Sequence, residues 1–159
     1  YNVCGGEIGV QAKWDNGFGA RLTYAYTKEQ LAKDKDGNTI NNQYIPAREH
    51  AFNARLDYDC QLTKRYGLNI GLQGRVLSGV ENVEYKNYYD VSQGTITVEY
   101  PAYTIWKLSL VQRIGKAVKV NAALDNLFGY KPKYYYLNSP ITDGITFQIG
   151  LSIEMDKLF

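Results

Sequence analysis

Residues 145–155 alternate without a break. Ile145, Phe147, Ile149, Leu151, Ile153 and Met155 stand on one parity, and Thr146, Gln148, Gly150, Ser152 and Glu154 on the other. Successive side chains of a β-strand point to opposite faces, so this stretch reads as a strand with one apolar and one polar face. A helix would scatter the same residues around its axis.

Six more segments repeat the pattern. Segment 6–14 sets Ile8, Val10, Ala12 and Trp14 against Glu7, Gln11 and Lys13. Segment 18–26 sets Phe18, Ala20, Leu22, Tyr24 and Tyr26 against Arg21 and Thr23. Segment 52–60 sets Phe52, Ala54, Leu56, Tyr58 and Cys60 against Asn53, Arg55, Asp57 and Asp59. Segment 68–76 sets Leu68, Ile70, Leu72 and Val76 against Asn69, Gln73 and Arg75. Segment 104–114 sets Trp106, Leu108, Leu110 and Ile114 against Lys107, Ser109 and Arg113, and segment 118–125 sets Val118, Val120, Ala122 and Leu124 against Lys119, Asn121 and Asp125.

A soluble β-sandwich also alternates, with its apolar side chains facing inward. The connections separate the two architectures. Three joints are tight: Asp15-Asn16-Gly17, Thr63 to Gly67, and Gly115-Lys116. Asn-Gly is a strong two-residue hairpin signal. Three others are long, polar and Tyr-rich, near 28–46, 80–101 and 129–143. Short turns at one end and long loops at the other are the pattern of an outer-membrane barrel, whose apolar side chains face lipid and whose polar ones face the lumen. The fold class is therefore all-β: an antiparallel transmembrane β-barrel segment of about seven strands.

Composition agrees. Tyr numbers 15 in 159 residues and aromatics make up 14%, a supply suited to pleated surfaces. Trp14, Phe18 and Tyr66 fall at the tight-turn side, and Tyr24, Tyr26 and Trp106 toward the long-loop side, as two aromatic girdles require. No run of eighteen apolar residues is present to make a membrane helix. The mean hydropathy of -0.39 resembles a soluble protein only because alternating strands average out. A net charge of +2, with no basic run, gives no nucleic-acid partner. Cys4 and Cys60 fall at opposite ends of non-adjacent strands and read as free thiols. The chain opens on Tyr1 without a charged-then-apolar leader, so we expect a removed leader or a piece of a longer protein.

An odd strand count ending on the tight-turn, periplasmic side places the start of the chain outside. Single-chain bacterial barrels have an even strand number with both termini in the periplasm. Unpaired backbone at an open sheet edge costs several kcal/mol per group in lipid. We therefore expect further strands, from upstream sequence or from other chains.

The C-terminal third carries more specific residues: Leu124-Asp125-Asn126-Leu127-Phe128, then a Tyr-rich stretch, then Asp143-Gly144-Ile145-Thr146-Phe147-Gln148-Ile149-Gly150-Leu151-Ser152, and a terminal Phe159. This resembles the C-terminal signature of TonB-dependent outer-membrane receptors, and Leu22-Thr23-Tyr24-Ala25-Tyr26-Thr27 looks like a strand of the same family. One departure is Ile145, where the family frequently has Arg. The resemblance implies that residues 1–159 are the C-terminal part of a barrel of about twenty-two strands, with the plug domain and earlier strands outside this chain. It also implies uptake of a scarce ligand of the ferric-siderophore, haem, cobalamin or glycan class, powered by the TonB complex through the plug. Phe159, with alternating apolar residues before it, resembles the signal read by the barrel-assembly machinery.

The candidate site residues follow from this reading. Glu7, Arg21, Arg55, Asp57, Arg75, Lys107, Lys119 and Asp125 would face the lumen, holding the plug, lining a substrate path, or forming a charge-balanced solvated wall. Tyr85, Tyr88, Tyr89, Tyr134, Tyr135 and Tyr136 lie in long loops, where they would grip a ligand or pack the loops. Asp34-Lys35-Asp36-Gly37-Asn38 lacks the spacing of a calcium loop and reads as an Asp-Gly turn. No zinc spacing and no phosphate-binding glycine loop point to a metal or cofactor.

Two other functions fit a barrel of this kind. One is passive diffusion, as in a porin. The other is a lipid-acting enzyme. If the third and fourth strands pair symmetrically about Lys64, then His50 and Ser78 lie side by side on the lipid-facing parity. A nucleophilic serine needs such a base. No third group to orient the imidazole is evident on that face, so no catalytic residue is assigned.

Overall fold

The computed structural model describes residues 2–30, 35–37, 47–132, 142 and 144–157. Nine strands run antiparallel to their neighbours. They are β1 (Asn2–Lys13), β2 (Phe18–Gln30), β3 (His50–Thr63), β4 (Tyr66–Leu77), β5 (Val80–Tyr85), β6 (Thr95–Tyr100), β7 (Tyr103–Ile114), β8 (Val118–Asp125) and β9 (Thr146–Ile153). Seven form one sheet in the order β1-β2-β3-β4-β7-β8-β9, and β5 pairs with β6 in a separate hairpin. The sheet is a meander, so each apolar set meets the next through a short turn or a long excursion.

Register carries the two faces across the sheet unbroken. One row runs Ala12, Ala20, Leu56, Leu72, Leu108, Leu124 and Phe147, each directly opposite the next. Another runs Tyr58, Ile70, Leu110, Ala122 and Ile149. A one-residue slip in any pair would send that strand's apolar set to the polar face, and the parity change between β8 and β9 is absorbed by the Val118–Ile153 register.

No second layer covers the apolar face among the described residues. Ile149 is 72% exposed and Ile8 65%, and among the described residues the buried core is Ala54, Leu77, Tyr100 and Ala117. A sandwich would bury these side chains against a facing sheet. This sheet is a single layer with a continuous greasy surface. The twelve residues of β4, at about 3.4 Å each and tilted about 45°, rise about 29 Å, close to the hydrocarbon thickness of a bilayer.

Several strands run beyond the expected segments, β1 from Asn2 and β2 to Gln30 among them, and two further departures bear on the fold. The joint expected as a plain polar loop at 80–101 contains the β5–β6 hairpin, paired from Val80 opposite Tyr100 to Tyr85 opposite Thr95. The alternation in β6, Ile96, Val98 and Tyr100 against Thr95, Thr97 and Glu99, spans only six residues, and β5 sets Asn82 and Glu84 on the same face, so the hairpin has no continuous apolar stripe. Tyr100 is 1% exposed, and its hydroxyl donates to Glu84 Oε1. The last strand ends at Ile153, short of the expected Met155, because the chain turns into a 3₁₀ segment at Met155–Lys157. There the Lys157 amide donates to the Glu154 carbonyl at 3.1 Å.

Candidate functional site

The polar face holds all eight of the charges expected on it. Glu7 stands on β1, Arg21 on β2, Arg55 and Asp57 on β3, Arg75 on β4, Lys107 on β7, and Lys119 and Asp125 on β8. Arg21 lies directly opposite Arg55, and Arg75 lies between Asn53 and Ile105. These strands bring the residues to one surface but not to one point.

That surface is tied by ion pairs along its length. Arg113 crosses β4 to hold Asp59 on β3 through bonds of 2.9 and 3.0 Å. Gly67 makes the crossing possible, since a Cβ there would come within 2.7 Å of the guanidinium. Lys107 pairs with Asp125 at 3.2 Å, and Lys119 with Glu154 at 3.5 Å. Lys157 also binds Glu154, and these two ammonium groups hold the Glu154 carboxyl below the usual carboxylate range, Lys157 contributing most. Asp59, Arg113 and Glu154 stand on the polar parity in the sequence but are not among the candidate site residues. Their signal was present, since each falls on the polar parity of its own segment.

At the long-loop end a second cluster forms around Arg48. Its guanidinium donates to the carbonyls of Ser78 and, at 2.8 Å, Pro101, the two feet of the β5–β6 excursion. It also lies 4.7 Å from the centroid of the Tyr103 ring, and Tyr103 in turn stacks on Tyr130 at 5.1 Å. A guanidinium over an aromatic face is an attractive contact, stronger where water is excluded. Burial raises the Tyr130 hydroxyl above the usual phenol range, with the Arg48 charge acting against that rise. Arg48 lies outside every periodic segment, so alternation could not single it out.

Of the loop tyrosines, Tyr85 and Tyr88 meet edge to face at 6.4 Å, and Tyr89 is fully exposed beside them. The adjoining 3₁₀ turn Val91–Gln93 is capped by Asp90, whose carboxyl is held below its usual range first by the Ser92 hydroxyl and then by Gln93. Tyr134, Tyr135, Tyr136 and Phe159 lie outside the described residues.

His50 and Ser78 do sit side by side. The Ser78 amide donates to the His50 carbonyl at 2.9 Å, and the His50 amide donates to Ser78 Oγ at 3.1 Å. The imidazole is engaged elsewhere: its Nδ1 shares a 2.7 Å hydrogen bond with the Tyr24 hydroxyl, and Tyr26 packs beside the ring. The arrangement is an aromatic cluster at the rim of the apolar face, without a base directed at the serine. Cys4 and Cys60 are both free thiols, on strands separated by β2.

The model of the TonB-dependent receptor-like β-barrel family matches residues 3–127, the run from β1 through β8. The chain belongs to that family. TonB-dependent receptor barrels lie in the bacterial outer membrane and serve transport, and their members are transporters by trade, not enzymes. No curated protein matches the sequence. In this TonB-dependent receptor barrel the Asn126-Leu127-Phe128 motif has a visible physical role. Asn126 is 4% exposed and adopts φ 52°, a left-handed conformation that Asn tolerates better than most residues. Its Nδ2 donates to the Tyr130 carbonyl at 2.7 Å and to Thr142 Oγ1 at 2.9 Å, while its Oδ1 accepts from the Tyr130 amide at 2.9 Å. The Leu127 amide donates to the Trp106 carbonyl at 2.8 Å, which ties the loop to β7. One side chain thereby closes both feet of the loop between β8 and β9.

Proposed function

We propose that this chain is the C-terminal barrel section of an outer-membrane receptor that takes up a scarce ligand, of the ferric-siderophore, haem, cobalamin or glycan class. Energy comes from the TonB complex through a plug domain, and the C-terminus faces the periplasm. The single observation that carries the reading is a one-layered amphipathic sheet coincident with the family match over residues 3–127. The remaining strands and the plug belong to the rest of the receptor. Glu7, Arg21, Arg55, Asp57, Arg75, Lys107, Lys119 and Asp125 then line the lumen, holding the plug or bordering the ligand's path. Tyr85, Tyr88, Tyr89, Tyr134, Tyr135 and Tyr136 serve as ligand anchors in the outer loops, and Phe159 as the assembly signal.

The test is uptake by cells expressing the full native polypeptide. Labelled members of the four ligand classes are supplied with and without an uncoupler of the proton gradient. Accumulation of one class that stops with the uncoupler supports the receptor. Entry that the uncoupler leaves unchanged would make the protein a passive diffusion barrel.

A further inference from the structure

The polar face is not uniform. Near the long-loop end it sinks into a depression of about 560 Å³ bounded by Asn53, Gln73, Arg75, Tyr103, Ile105 and Lys107. Ile105 stands directly opposite Arg75 and is short and apolar, so the long side chains around it leave a hollow. Tyr103 forms one wall, fixed between Arg48 and Tyr130. The Lys107 charge is already met by Asp125. The Arg75 charge is not: among the described residues no ion pair involves it. Asn53 gives one amide hydrogen to Thr23 and keeps another, and the Gln73 amide is a further donor at the rim.

We propose that this depression binds an oxyanion, a carboxylate or phosphate group of a small solute, with Arg75 as its principal ligand. A planar guanidinium presents a donor fork that matches the two oxygens of a carboxylate or phosphate. The amides of Asn53 and Gln73 supply neutral donors beside it. Tyr103 and Ile105 give the rest of the solute a rigid, partly apolar wall. Arg75 lies two positions before the end of β4 at Leu77, on the long-loop side, so the anion enters from the mouth. The assignment rests on the receptor reading above and names the chemistry that such a receptor would select.

The test is calorimetric titration of the full-length native protein in detergent at low salt, with citrate and inorganic phosphate as probes. Saturable binding of either probe is expected. R75Q should weaken it about tenfold or more, the loss expected when a charged hydrogen-bonding partner is removed. R75K, which keeps the charge but not the fork, should fall between. K13Q removes one positive charge from the same face and should change affinity less than about twofold. Heat-modifiable migration in gels verifies that each variant is folded. Citrate binding alone assigns a carboxylate, phosphate binding alone assigns a phosphate, and both assign a general oxyanion subsite. No saturable binding, as when an acidic side chain of a covering domain already occupies Arg75, overturns the proposal, and so does equal weakening by R75Q and K13Q. Binding is read at equilibrium and needs no energy coupling. A failure of uncoupler-sensitive uptake with anion binding intact would therefore count against the receptor and not the site.

Discussion

The indole of Trp106 occupies the space in which a Cβ on Gly74 would stand: such an atom would lie 2.2 Å from the ring. The two residues are direct partners on neighbouring strands, β4 and β7, and the indole Nε1 donates to Thr104 Oγ1 at 2.6 Å. The glycine is therefore a seat for an aromatic on the apolar face, close to the long-loop rim.

This relationship sets up a contrast with Gly67. A Cβ at Gly67 would meet the far end of Arg113, a flexible side chain that can swing aside, whereas one at Gly74 would meet a rigid ring. Gly74→Ala should destabilise the folded barrel by about 1–3 kcal/mol, the usual effect of overpacking. It should also shift Trp106 fluorescence. Gly67→Ala should lose the Arg113–Asp59 contact with a smaller change in stability, because that pair is half-exposed and screened. Denaturant titration of the two variants in detergent gives the comparison.

Asn126 combines a left-handed backbone with three satisfied hydrogen bonds, and the two contributions separate by substitution. Asn126→Gly keeps the backbone and loses the bonds, while Asn126→Ala loses both. The alanine variant should be the less stable by about 1–2 kcal/mol, the usual excess for a left-handed residue other than glycine. Proteolysis between β8 and β9 should be faster in both variants, and limited digestion followed by mass spectrometry reads it.

Glu154 gives the C-terminal turn a pH dependence. Its carboxyl is held low by Lys157 and Lys119, so the folded state favours the anion. That contribution is fully present above the usual carboxylate range and is lost as the pH falls through it and below. The 3₁₀ turn Met155–Lys157 should fray on acidification while β8 and β9 stay paired. Glu154→Gln should give the same fraying at neutral pH. Hydrogen exchange at the Lys157 amide is the readout.

Much of this architecture was legible because a membrane strand has one simple rule, greasy residues on one parity. The rule found all seven strands of the sheet; the pairing of β3 and β4 about Lys64, which the rule alone leaves as a condition, is the register that sets His50 beside Ser78. It does not reach the β5–β6 hairpin, where the alternation is confined to the six residues of β6 and β5 sets Asn82 and Glu84 on the same face. It does not reach Arg48 either, which acts through two carbonyls and a ring contributed by distant loops. The polar parity named Arg75, but the hollow beside it depends on Ile105 and on a Tyr103 fixed from the other side. Those depend on register between strands that are far apart in the chain.

On the proposed reading the odd residues of β9 face lipid and the even ones the lumen. This is tested by spin-label accessibility in the full-length protein reconstituted in bilayers, with Cys4 and Cys60 replaced by Ser and one label placed in turn at each position from Thr146 to Ile153. A period of two is expected, with oxygen access peaking at Phe147, Ile149, Leu151 and Ile153, and access to a water-soluble nickel chelate peaking at the residues between them. A flat profile, or the opposite phase, would contradict it.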